Sequence, residues 1–175
     1  MRYFPAKEVH HGLWIGSRAD SQNPDFVRDH DIGMVVNCTD SIPNLNLPGV
    51  SYETIPLKDA DDYNEVALAR YPIIVREIET VLERGKGVLV HCAAGMQRSA
   101  AVVAAYLMYK YNLSASNAMK AIKDQKPETF FPTPTFGPAL IKYERQLAAF
   151  GRGGTSKTKR KNKNNLSEIL AGANR

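Results

Sequence analysis

One stretch of the chain, Val88-Leu89-Val90-His91-Cys92-Ala93-Ala94-Gly95-Met96-Gln97-Arg98-Ser99, gathers a thiol, a guanidinium, an imidazole and a hydroxyl. Cys92 directly follows an apolar, strand-like run, and Ser99 opens a long apolar helical pattern. In a strand-loop-helix turn of this kind the backbone N–H groups point inward and the helix N-terminus adds partial positive charge. An oxyanion such as phosphate would be held there. Arg98 stands where its guanidinium can fold back and grip two oxygens of that anion. The same field is expected to lower the Cys92 thiol to a pKa of about 3.5–7.5, making it a thiolate nucleophile. Ser99 offers a hydroxyl that would stabilise the sulfur as it later leaves. Gly95 allows a tight turn, and Ala93, Ala94, Met96 and Gln97 are the remaining, neutral positions of the phosphate loop. His91 is expected to orient the loop through hydrogen bonds rather than to carry protons. The bland alternative, a buried structural thiol beside a surface arginine, explains Cys92 alone but leaves its useful neighbours to coincidence.

Cleavage of a phosphate ester by a thiolate needs a proton for the leaving oxygen and then a base for the attacking water. One carboxyl group above the anion can do both in turn. The polar loop Lys58-Asp59-Ala60-Asp61-Asp62-Tyr63-Asn64 supplies three candidates, Asp59, Asp61 and Asp62, at least one of which is expected to be merely solvated. Cys38 ends another apolar run and reads first as small buried core. His10 and His11 have no cysteine or carboxylate spacing that suggests a metal site, so neither metal nor cofactor is expected.

Positioning these groups requires short apolar runs alternating with helical patterns, which predicts an α/β domain with a mostly parallel sheet. Strands are expected over 13–16, 33–38, 50–57 and 87–91. Helices are expected over 24–30, 65–84, 99–111 and 115–125, with a last one opening at Thr135 or Pro138 and ending near Phe150. Pro72 is expected to start a new helix or kink the old one. Ser114 and Ser116 are candidate caps. The 99–111 pattern is apolar nearly all round, marking a helix enclosed by the rest of the domain. Trp14, Phe130 and Phe131 read as core in preference to pocket rim.

The 175 residues fit one domain with a tail. Hydrophobic residues make up 43% and charged residues 23%, enough apolar mass for a core and too much for a disordered chain. No apolar run reaches membrane-spanning length, and the N-terminus lacks a secretory h-region. Two cysteines are too few for a disulfide framework, so an intracellular setting, cytoplasmic or nuclear, is expected. The net charge of +5 is uneven: residues 1–150 hold 16 Lys+Arg against 17 Asp+Glu, whereas residues 151–175 hold 7 against one. The expected division is therefore a folded domain over 1–150 and a disordered basic tail over 151–175. That tail could serve as a nuclear address or a weak nucleic-acid contact, or be an inert extension.

His91-Cys92, five intervening residues and then Arg98-Ser99 resemble the signature of the cysteine-dependent protein phosphatases. Gly12-Leu13-Trp14-Ile15-Gly16-Ser17, Ala105-Tyr106-Leu107-Met108 and the stretch from Pro132 to Glu144 resemble segments of the dual-specificity branch, over residues 8–150 in one order. The resemblance departs at Thr133, where asparagine is common, and in an acidic loop about two residues longer than usual. Low-molecular-weight tyrosine phosphatases carry their loop near the N-terminus, and rhodanese-like phosphatases lack the Arg-Ser step into a long apolar helix.

This resemblance implies a central sheet of about five strands flanked by helices, and hydrolysis of phosphotyrosine and phosphoserine/threonine in protein substrates through a phosphocysteine. In that scheme Cys92 attacks, Arg98 and the loop hold phosphate, and Ser99 assists the second step. Ile55-Pro56-Leu57-Lys58-Asp59 resembles the family stretch ending in the general acid, which favours Asp59. Counting back from Cys92 favours Asp61 instead. Some related phosphatases pair an oxidised nucleophile with a resolving cysteine, a role open to Cys38. Two rivals share the signature: an RNA 5′-phosphatase or phosphoinositide phosphatase, and a phosphate-binding module without catalysis. The neutral loop positions argue against the first and the intact Cys92, Arg98 and Ser99 against the second.

Overall fold

A computed structural model describes residues 3–150, so the expected boundary at Gly151 and the basic tail lie outside the described residues. Five strands form one sheet in the order β1-β2-β5-β3-β4, with β1 at Lys7–His10, β2 at Leu13–Gly16, β3 at Ile32–Asn37, β4 at Ser51–Thr54 and β5 at Gly87–His91. All neighbours pair in parallel except β1 and β2. The helices are α1 (Arg18–Ser21), α2 (Pro24–Asp29), α3 (Asn64–Glu83), α4 (Arg98–Tyr111), α5 (Ala115–Gln125) and α6 (Gly137–Ala149).

The α/β architecture agrees with expectation, but three local readings need correction. β1 was not foreseen because Val9 is its sole core residue; it is a strand through its hairpin with β2, closed at Gly12 with φ +77°. β4 stops at Thr54 rather than running to 57: the Ile55 N–H still donates to the Asn37 carbonyl at 2.8 Å, but Pro56 has no N–H to continue. α3 runs unbroken through Pro72, so no new helix starts there. An interior proline costs about 3 kcal/mol. Burying Leu68, Tyr71, Ile74, Val75 and Ile78 on either side of it outweighs that, at about 1.5–3 kcal/mol for each aliphatic side chain.

α4 is the central helix, with ten consecutive buried residues from Ser99 to Met108. It ends at Asn112, whose left-handed φ of +60° provides the stop. Ser114 caps α5 by accepting from the Asn117 N–H at 3.1 Å. α3, α4, α5 and α6 cover one face of the sheet in the larger core cluster. A smaller cluster of Val27, Ile32, Val35 and Leu89 covers the other, where half-buried Trp14 meets Phe26 edge to face and His30 at a tilt. The fully buried β5 is thus enclosed between layers, with its C-terminal end flanked by Gly16 and Asn37. No described helix is long and apolar enough to cross a membrane.

Candidate active site

The chain leaves β5 at His91 and re-enters helix at Arg98, so the intervening loop caps the C-terminal end of the central strand. The Cys92 N–H donates to the Gly16 carbonyl at 3.4 Å, and the Arg18 N–H to the Ala93 carbonyl at 3.0 Å, fastening the loop to the β2–α1 corner. That corner is held by Asp20, which accepts from the Ser17 N–H at 2.7 Å, the Ser17 hydroxyl at 2.9 Å and the Tyr3 hydroxyl at 2.7 Å. Gly95 is required twice over. Its φ is +72°, and a β-carbon there would lie 2.8 Å from the Gly16 carbonyl oxygen.

Cys92 is 2% exposed, and its sulfur lies 3.2 Å from the Ser99 hydroxyl and accepts from the Gly95 N–H at 3.3 Å. Burial pushes its thiol pKa up. The Ser99 hydroxyl and N–H, the Arg98 charge and the Gly95 N–H together outweigh that and hold it below the ordinary range. His91 behaves oppositely: burial lowers it to about 4, so it is neutral at neutral pH, with Nδ1 3.4 Å from the Cys92 carbonyl oxygen. A neutral, buried ring suits orientation rather than proton transfer. Arg98 is half-buried and donates from Nη1 to the Leu57 carbonyl at 3.0 Å.

A cleft of about 390 Å³ opens over this loop, lined by Asp59, Cys92, Ala93, Ala94, Met96, Gln97, Arg98 and the 131–135 segment. Among the three candidate carboxylates Asp59 alone lines it. Asp61 and Asp62 start a 3-10 turn, Asp61–Tyr63, in which the Asp61 carbonyl accepts from the Asn64 side chain at 3.0 Å. A larger cleft of about 560 Å³ lies at the opposite end of the sheet, among Arg28, Ile32, Leu47, Val50, Arg84 and Lys86, with no cysteine in its lining.

The sequence does not show what the Gln97 side chain does. Gln97 belongs to the loop, but its side chain binds the 131–135 segment: Nε2 donates to the carbonyls of Phe131 and Thr133 at 3.1 and 2.9 Å, and Oε1 accepts from the Thr135 N–H at 3.2 Å. Phe131 takes the second of its two expected places, the pocket rim and not the favoured core: it is 63% exposed and lines the cleft. The left-handed φ of +61° at Phe130 turns that ring inward, where it is 5% exposed, and sends the next one out. The following Pro132, exposed as well, is the one sequence signal for this. Cys38 follows Asn37, the register partner of His91, and so stands near Cys92 just past the end of the neighbouring strand, its N–H donating to the His91 carbonyl at 2.9 Å. Both are free thiols, and burial pushes that of Cys38 well above the ordinary range.

The sequence matches the family described as "Dual specificity phosphatase, catalytic domain" over residues 13–146. It is 34% identical over 137 residues to dual specificity protein phosphatase 6 of Homo sapiens, covering 77% of this chain and 35% of that protein. It is 33% identical over 145 residues to dual specificity protein phosphatase 14 of Homo sapiens, covering 83% of this chain and 71% of that one. The chain thus spans about a third of the first relative and most of the second. Among solved structures, human DUSP28 superposes with a TM-score of 0.77 at 28% identity, covering 84% of this chain and 97% of that one. With the match running from β2 into α6 and enclosing every loop residue of the cleft, this chain belongs to the dual specificity phosphatase family.

Proposed function

We propose that the chain is a protein phosphatase that hydrolyses phosphomonoesters through a covalent phosphocysteine. The observation carrying this reading is the Cys92 sulfur, 3.2 Å from the Ser99 hydroxyl, in a cleft that Arg98 and Asp59 also line. The Cys92 thiolate attacks phosphorus while Arg98 and the loop N–H groups hold the non-bridging oxygens. The ester P–O bond breaks, and its oxygen takes a proton from the Asp59 carboxyl group. Water then attacks the phosphocysteine and gives a proton back to Asp59. The S–P bond breaks, the Ser99 hydroxyl stabilises the departing thiolate, and inorganic phosphate leaves.

The substrate in this reading is a phosphorylated protein side chain. Arg98 is the one cationic side chain among the cleft-lining residues. That suits a single phosphate on a neutral body better than the clustered charge of a phosphoinositide or an RNA triphosphate end. The catalytic unit in this reading is residues 1–150, with the basic residues 151–175 affecting encounter with anionic partners only. Phosphate release from an aryl phosphate tests the proposal. Turnover is expected in the parent and none above background in Cys92→Ser, which keeps the shape but is not ionised near neutral pH. A Cys92→Ser protein within tenfold of the parent would overturn it.

A further inference from the structure

The rim of the cleft carries a large aromatic side chain that the catalytic steps do not use. Phe131 is 63% exposed, although it shares the cleft with Cys92. It does not sit on a loose loop. The Gln97 side chain binds the Phe131 and Thr133 carbonyls and the Thr135 N–H, and the Phe130 N–H donates to the Met96 carbonyl at 2.9 Å. Two residues of the phosphate loop thus anchor the backbone on both sides of Phe131, fixing where its side chain leaves the chain relative to that loop. Leaving that ring in water forgoes the stabilisation its burial would bring. A ligand that covers the ring recovers it. The surroundings narrow the ligand: Ala93, Ala94, Met96 and Pro132 give a neutral rim, and Arg98 gives charge for one phosphate.

We propose that the Phe131 ring is a stacking surface for the aryl ring of phosphotyrosine, so that this site favours aryl over alkyl phosphomonoesters of proteins. The inference rests on the hydrolase reading above. In phosphotyrosine a phenyl ring separates the ester oxygen from the peptide backbone, and it occupies the level of the rim when phosphate is on the loop. In phosphoserine or phosphothreonine one carbon separates the two, so backbone rather than a ring meets Phe131. Aromatic pairs prefer offset or edge-to-face contacts and add a modest gain beyond area burial, worth about a three- to tenfold preference.

The test uses two phosphopeptides of one sequence, differing only in phosphotyrosine or phosphothreonine, and reads the ratio of their kcat/KM values. Phe131→Ala is expected to lower that ratio about three- to tenfold. Phe131→Trp is expected to keep or raise it. Because Phe131 is exposed, truncation opens no core cavity, and circular dichroism and thermal melting of both variants verify the fold. An unmoved ratio in Phe131→Ala, with the parent active, overturns the assignment of Phe131 and leaves the hydrolase reading standing. Faster turnover of 5′-phosphorylated RNA than of either peptide overturns the proposed substrate class. A parent that releases phosphate from neither peptide nor from an aryl phosphate overturns the hydrolase reading, and this inference with it.

Discussion

Arg98 donates from Nη1 to the carbonyl oxygen of Leu57 at 3.0 Å, which ties the guanidinium at the start of α4 to the segment carrying Asp59 two residues later. One side chain therefore lines the cleft and also holds the segment that brings Asp59 to it. A planar fork with five donors can grip two oxygens of one anion and still reach the carbonyl; an ammonium group, a point charge with three donors, lacks that spread.

Arg98→Lys should accordingly lose about 10²-fold or more in kcat/KM on an aryl phosphate, the scale for removing one oriented donor at a reacting anion. Steady-state kinetics with the melting temperature measured alongside would check this. A loss below fivefold would mean that a point charge suffices and that the Leu57 tie is incidental.

Asp59→Asn should slow hydrolysis by about 10²–10⁴-fold for substrates with poor leaving groups. The loss should shrink for activated aryl phosphates, whose leaving oxygen needs no proton. Asp61→Asn, outside the cleft lining, should stay near the parent on both substrate types. The reverse pattern would assign the acid to the 3-10 turn instead.

His91 makes stability depend on pH. Its folded-state pKa of about 4 lies below the ordinary value of 6.5, so between these values the unfolded chain binds more protons. Its contribution is complete above pH 6.5 and is lost as pH falls through 4, on the order of 3 kcal/mol in all. Urea unfolding at a series of pH values, with the imidazole resonance of His91 followed by NMR, measures both effects. A ring titrating near 6.5 would contradict the buried, neutral assignment.

Deleting residues 152–175 should leave turnover of a small aryl phosphate within about twofold, since the cleft is lined by residues 59–135 and α6 ends at Ala149. Removing a +6 segment should instead weaken encounter with polyanions, and mainly at low salt. A large fall on the small substrate would show that the segment contributes to the cleft.

The strand-loop-helix turn was legible because its determinants are local: a buried apolar run, then Cys92, a positive-φ glycine, and Arg98-Ser99 opening an apolar helix. The same locality exposed α4 and α5, whose periodicity and caps lie within their own segments. β1 was not legible, since its strand character comes from pairing with β2 and not from Lys7-Glu8-Val9-His10. Nor could spacing decide between Asp59 and Asp61. The cleft lining follows from how the 3-10 turn and Asn64 seat the acidic loop beside α6, where the Asn64 side chain accepts from the Ala139 N–H at 2.9 Å. Phe130 and Phe131 are chemically identical neighbours, and only the backbone turn at Phe130, set where the loop meets Met96 and Gln97, sends one inward and the other to the rim. The proposed nucleophile and anion grip were thus written in one short run of residues. The candidate acid, the rim and the support behind the loop come from segments far apart in the chain, and tertiary packing alone brings them together.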